Sequence, residues 1–192
     1  MTYEIKEHKH RYAAWAASRA SSVKGCRFSV LQGKMIIENS GLSTFVDSPQ
    51  NLPETNSFDK VHSDWRESVI LQAEKLGLNF THGVAAKLIN VYMKTIFVCG
   101  GYAENERVAP IHPPIDGLLL KSLRDNDVGG LKKEWRKAVT KRWSKFDSDE
   151  YQSVIGNIRK ALNGSPMWKI EKYWQGYQGS TAMKSMQPTA NA

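Results

Sequence analysis

The chain predicts an all-α fold, a compact multi-helix domain, on three observations. Apolar residues recur at three- and four-residue spacing through most of its length. Residues 12–20 are alanine-rich, with strong helix propensity. Proline, serine, threonine and asparagine gather in connections such as residues 40–57, which contain Pro49 and Pro53. A length of 192 residues suits one domain with a real core and is short for two. Residues 1–175 are therefore assigned to a single helical domain. Residues 176–192, dominated by Gly, Ser, Thr, Gln, Ala and Pro, are expected to form a flexible tail.

A first helix is expected over residues 4–23, where small residues allow a second helix to approach closely. Residues 28–39 fit either a hairpin about Gly33 or a broken helix, and helix is preferred. A further helix places Phe58, Val61, His62, Trp65, Val69 and Leu76 on one face. Residues 84–99 are apolar nearly all round and predict a buried central helix. Leu118, Leu119, Leu120 and Leu123 follow a proline-rich helix start. Trp135, Val139, Trp143 and Phe146 recur at nearly four-residue spacing among Lys132, Lys133, Arg136, Lys137, Lys141, Arg142 and Lys145. The aromatics are expected to face the core and the cations to form a basic surface. A last pair, residues 147–162 and 166–174, opens on capping groups at Asp147 and Ser165.

The 27 Lys and Arg against 19 Asp and Glu give a formal charge of +8, which favours an anionic partner. Cys26 and Cys99 make neither a disulfide framework nor a metal-ligand set, consistent with a reduced, cytoplasmic protein. The amino terminus lacks the apolar core of a signal peptide, and no segment reads as long and apolar enough to span a bilayer. No phosphate loop, metal-spaced His/Cys cluster or Ser-His-Asp arrangement is present.

Two short stretches carry the chemistry. Gly83-Val84-Ala85-Ala86-Lys87 puts a lysine just inside one helix start, and His112-Pro113-Pro114-Ile115-Asp116 puts an aspartate just inside another. The helix dipole and an apolar setting both favour a neutral amine at Lys87, and a nearby carboxylate orients such an amine. Lys87, Asn90 and Lys94 form one narrow polar stripe on the apolar helix. That stripe is either a solvated edge or a means of presenting a lysine to a cleft. Asp116 is either a well-made helix start or a site carboxylate.

These stretches resemble the helix-hairpin-helix DNA glycosylase superfamily, particularly its 8-oxoguanine glycosylase and AP lyase branch. There a Leu-Pro-Gly-Val-Gly-x-Lys hairpin leads into a helix and is followed by a Val-Pro-x-Asp segment. The likeness covers about residues 76–123. Thr81 to Lys87 stands at the hairpin, with Ala85 in place of its second glycine, and Pro114-Ile115-Asp116 stands at the aspartate loop. Residues 99–109 read as an inserted loop. The resemblance implies a DNA N-glycosylase with an AP lyase step, in which Lys87 forms a Schiff base with the sugar and Asp116 assists. It implies duplex DNA carrying a damaged or modified base as partner. His82, Gly83, Ala85, Asn90, Lys94 and His112 would contact that DNA, and neither metal nor organic cofactor would be required. Residues 10–20, 83–94 and 112–116 also look like an uncharacterised bacterial protein family. A non-catalytic helical nucleic-acid-binding module is the alternative on the same residues.

Overall fold

The alanines that favour the first helix also decide how closely it is approached. The computed structural model describes residues 3–46 and 48–176, so the expected tail, residues 176–192, lies outside the described residues apart from Gly176. In α1 (Ile5–Ser21), Ala13, Ala14, Ala17 and Ser18 face inward and are at most 1% exposed. α2 (Val30–Asn39) resolves the ambiguous segment as a helix. It opens on a capping box, with Ser29 Oγ accepting from the Gln32 N–H and Gln32 Oε1 accepting from the Ser29 N–H. A Cβ on Gly33 would lie 2.0 Å from Ser18 Oγ, so only glycine admits this α1–α2 approach.

After short 3₁₀ turns at Leu42–Phe45 and Pro49–Asn51, α3 (Phe58–Glu74) buries Phe58, His62, Trp65 and Val69 along the predicted face. Residues 75–81, with left-handed Gly77, link it to α4 (His82–Met93). Thr81 Oγ1 caps α4 by accepting the Val84 N–H at 3.2 Å. Thr81 to Lys87 are thus the cap and opening turns of a helix, and Gly83 is helical. The α-helix passes into a π-helical stretch, Lys94–Tyr102, where left-handed Gly101 breaks the winding. The expected loop from residue 99 therefore begins later.

His82–Tyr102 spans 21 residues of α- and π-helical winding, long and apolar enough by length and composition to cross a membrane. This corrects the expectation that no such segment exists: the polar stripe hides the length of the apolar run. Most of the stretch is buried within the protein.

α5 (Gly117–Asp125), α6 (Lys132–Thr140) and α7 (Ser148–Leu162) follow, then a 3₁₀ segment, Met167–Tyr173. The basic segment is not one helix. Lys141 is extended (φ −113°, ψ 144°), and a separate 3₁₀ turn, Trp143–Lys145, carries Trp143. Trp135 and Phe146 still reach the core. Asp147 caps α7 in a capping box with Glu150, whereas Ser165 makes no cap, because Pro166 takes the position before the 3₁₀ segment. Among the described residues the only extended pairing is the single bridge Val23–Cys26, and the fold is all-α.

Two apolar clusters share α4. One gathers α1, α2, α3 and residues such as Ala85, Leu88 and Ile89 of α4. The other gathers Ala86 of α4 with α5, α6, α7 and the final 3₁₀ segment. Lys87, Asn90 and Lys94 fall along the seam between them, which is why the stripe is polar without being an outer surface.

Candidate functional site

The two predicted stretches meet. Lys87 Nζ lies 3.2 Å from Asp116 Oδ2, and their side chains are 8% and 21% exposed. Asp116 gives one oxygen to its own helix and the other to Lys87. Oδ1 accepts the Leu119 N–H at 2.9 Å as the N-cap of α5, and Oδ2 faces the lysine. Trp174 Nε1 donates to that same Oδ2 at 3.0 Å. Lys87 Nζ also stands 5.4 Å from the centre of the Trp143 ring.

Burial pushes the Lys87 amine below its ordinary pKa, and Asp116 opposes the shift by favouring the charged form. The helix dipole contributes little, since Lys87 is the sixth residue of α4 and the dipole's influence fades beyond the first turn. Lys94, two turns further on, is ion-paired with Glu171 of the final 3₁₀ segment. Burial raises the Glu171 carboxyl above its usual range, against the effect of Lys94. Two amines, one from α4 and one from the π-helical stretch that continues it, thus face two carboxylates from distant parts of the chain.

A cavity of about 370 Å³ opens beside this group. Gly117, next to Asp116, and Trp143, next to Lys87, form part of its wall, and Lys24, Lys121, Lys141 and Arg142 line it with positive charge. A larger cavity of about 850 Å³ lies at the start of α1. Its walls mix Glu4, Glu7 and Glu38 with Lys6, His10 and Arg11.

Asn90 and His112, expected to contact a ligand, are each 1% exposed and do something else. Asn90 Nδ2 donates to the Pro113 carbonyl and to Tyr151 Oη, both at 2.9 Å, while its Oδ1 lies 2.8 Å from His62 Nε2. His112 Nε2 is 2.9 Å from Asp59 Oδ1, and its Nδ1 is 3.0 Å from Tyr151 Oη. One proton assignment satisfies this chain: His62 Nε2–H to Asn90, Asn90 N–H to Tyr151, Tyr151 O–H to His112, and His112 Nε2–H to Asp59. Arg159 closes it with two donations to Asp59, at 2.8 and 2.7 Å. The hydrogen bond from His112 holds the Asp59 carboxyl well below the usual carboxylate range, and Arg159 reinforces it.

This network fixes the loop that delivers Asp116. Residues 110–115 are buried, and a buried loop must find partners for its polar backbone. Prolines at 110, 113 and 114 remove three donors from that account, and Asn90 satisfies the Pro113 carbonyl. The residue three positions after Lys87 therefore positions the residue that Lys87 meets.

Gly83 and Ala85 are also corrected as direct contacts, because both are buried and their N–H groups are taken. Gly83 donates to the Phe146 carbonyl at 3.1 Å, and Ala85 donates to the Thr81 carbonyl at 2.9 Å. A Cβ on Gly83 would lie 1.9 Å from the Trp143 carbonyl oxygen, so this glycine lets the 3₁₀ turn bearing Trp143 sit on α4. His82 is partly buried, with Nε2 3.7 Å from Glu67 Oε1. Of the expected contacts, Lys94 alone joins the Lys87–Asp116 group. Sequence reasoning missed Glu171, Lys24 and Lys121, and it did not single out Trp174 from Trp168 and Tyr173 as the aromatic at the site. Trp174 stands 58 residues from the carboxylate it touches and Glu171 stands 77 from its lysine, so no local spacing announces either. Among the described residues no three His, Cys, Asp or Glu side chains converge as metal ligands.

Comparison with protein-family models, curated proteins and solved structures finds no match to this chain. The class that fold and site define is an all-α protein with a buried lysine–aspartate pair beside a cationic cavity.

Proposed function

We propose that this protein is a DNA N-glycosylase with an AP lyase step, using Lys87 as an amine nucleophile assisted by Asp116. The observation that carries the reading is the 3.2 Å contact between Lys87 and Asp116, two residues singled out by motif and 29 positions apart. The adjoining cavity supports it, being large enough for an extruded base, with Trp143 in its wall and with Lys24, Lys121 and Arg142 as cations suited to phosphates, whereas Lys141 is paired with Glu150. A base must leave the stack before its C1′ is accessible.

In this scheme neutral Lys87 attacks C1′ and forms the C–N bond as the glycosidic bond breaks, the departing base keeping the bond's electron pair. Asp116 stabilises the cationic sugar while that charge develops. The nitrogen then gives up one proton, its lone pair forms the C=N bond as the C1′–O4′ bond breaks and O4′ takes up a proton, and the protonated Schiff base permits loss of a C2′ proton with β-elimination of the 3′ phosphate. Low hydration at Lys87 favours the neutral amine the first step needs.

A specific observation favours a second reading. The Lys87 side chain is only 8% exposed, so the amine is nearly closed to a sugar in this conformation. A non-catalytic nucleic-acid-binding module would use the cationic cavity and leave the buried pair as structure. The two separate on duplex DNA with one abasic site, treated with borohydride. The glycosylase–lyase reading expects a covalent adduct in the wild type that vanishes in Lys87→Gln, with DNA affinity largely kept. Binding without trapping supports the module, and absence of both binding and trapping overturns the nucleic-acid reading.

A further inference from the structure

Residues 8–37 hold six Lys or Arg, namely Lys9, Arg11, Arg19, Lys24, Arg27 and Lys34, and no Asp or Glu. This stretch, comprising most of α1, the following loop and most of α2, therefore carries six positive charges of the formal net +8. Arg11 and Lys34 are paired with Glu7 and Glu38, their helical neighbours four residues away. Among the described residues Lys9, Arg19 and Lys24 form no ion pair.

The same face of α1 exposes two aromatic rings. Tyr12 and Trp15 are 58% and 49% exposed, with ring centroids 5.8 Å apart and planes inclined by 31°. Helical spacing puts Lys9 one turn before Tyr12 and Arg19 one turn after Trp15, both exposed. Ser21 ends the helix, and Lys24 follows directly into the wall of the cavity beside Trp143.

We propose that this face of α1 is a track for an unpaired nucleic-acid strand, continuous with the cationic cavity. Bases stack on Tyr12 and Trp15, Lys9 and Arg19 neutralise flanking phosphates, and Lys24 joins the track to the cavity. The proposal rests on the nucleic-acid part of the function proposed above and not on its lysine chemistry. Charge decides the occupant: two exposed rings among cations, in a stretch of thirty residues without a carboxylate, suit an anionic polymer with π faces. The strand is unpaired because bases stacked inside a duplex offer no face to an exposed ring.

The test is fluorescence anisotropy with a labelled duplex carrying an abasic-site analogue, either blunt or extended by a short thymidine overhang. The overhang should tighten wild-type binding roughly tenfold, a typical contribution for one stacked base. Trp15→Ala and Tyr12→Ala should each lose most of that gain while binding blunt duplex as wild type does. Arg19→Gln should lower the salt slope of overhang binding by about 0.7. Equal wild-type affinity for the two substrates overturns the proposal, as does retention of the gain in both aromatic variants. Sedimentation in which wild type dimerises and Trp15→Ala does not would identify the face as a self-interface and also overturn it. Borohydride trapping on the corresponding blunt and overhang duplexes with a true abasic site in place of the analogue separates the two ideas. A lysine-dependent adduct without overhang preference sinks the track alone, and overhang preference without an adduct sinks the lysine chemistry alone.

Discussion

Asp116 divides its carboxylate between Lys87 and its own helix: Oδ2 lies 3.2 Å from Lys87 Nζ, and Oδ1 accepts the Leu119 N–H. The rigidity of a helix N-terminus is thereby passed to the lysine's partner, and substitutions at Asp116 separate the two duties. Asp116→Asn keeps a capping oxygen and removes the charge, whereas Asp116→Ala removes both. Urea unfolding should show Asp116→Ala less stable than Asp116→Asn by about 1 kcal/mol, the usual worth of a cap.

The charge lost in Asp116→Asn should also be felt at Lys87. Asp116 raises the lysine's pKa against the lowering by burial, so its removal depresses that pKa further. At fixed pH more of the amine is then neutral. The Lys87 titration, followed by NMR of the labelled side chain, should move to lower pH in Asp116→Asn. An unchanged or higher midpoint contradicts the assigned electrostatics.

Gly83→Ala tests the contact between α4 and the turn that carries Trp143. The added Cβ would overlap the Trp143 carbonyl oxygen, and backbone yields less easily than a side chain. The expected loss is roughly 2–3 kcal/mol or more in denaturant unfolding. A loss comparable to that of an ordinary helical Gly→Ala change, which is small or favourable, would mean the turn moves freely.

His62 and His112 predict how stability depends on pH. Both are buried, with ring centroids 4.2 Å apart. Burial lowers both pKa values, His62 well below the ordinary value, while Asp59 partly restores that of His112. Folded-state values below the unfolded value of about 6.5 mean that the unfolded chain binds more protons under acid conditions. Stability is therefore complete above about pH 6.5 and declines as pH falls below it, by at most about 1.4 kcal/mol per pH unit per histidine. His62→Gln, which keeps a donor for Asn90 Oδ1, should flatten part of the decline in Tm between neutral and mildly acid pH.

Arg66 offers the opposite kind of test. It is 1% exposed, lies over the Tyr151 ring at 4.5 Å, and donates through Nη2 to Ser63 and Ser148. Its Nε and Nη1 have no hydrogen-bond partner among the described residues. A buried cation so incompletely satisfied costs desolvation, so Arg66→Met should leave thermal stability within about 1 kcal/mol of wild type or raise it. A loss of several kcal/mol would mean that Arg66 is far better solvated than its contacts suggest.

Local signals in the chain were enough for the helices with strong periodicity or caps. The alanines of α1 and the capping Asp147 of α7 act within a few residues, so their effect is readable from neighbours alone, whereas the Ser29–Gln32 box that opens α2 goes unread in a segment that also fits a hairpin. The basic segment misled because four-residue spacing is only necessary for a helix. The turn at Trp143 is held by contacts to Thr81 and Gly83, some sixty residues away.

By itself, then, the sequence determined an all-α fold and nominated Lys87 and Asp116, because helix propensity, capping and motif spacing are local properties. Tertiary structure alone decided that the two meet, that Asn90 and His112 support the aspartate's loop rather than face a ligand, and that Trp174 and Glu171 complete the group. The reason is the seam between two apolar clusters on one shared helix. Which side chains reach that seam depends on how distant segments pack, and spacing along the chain carries no record of it.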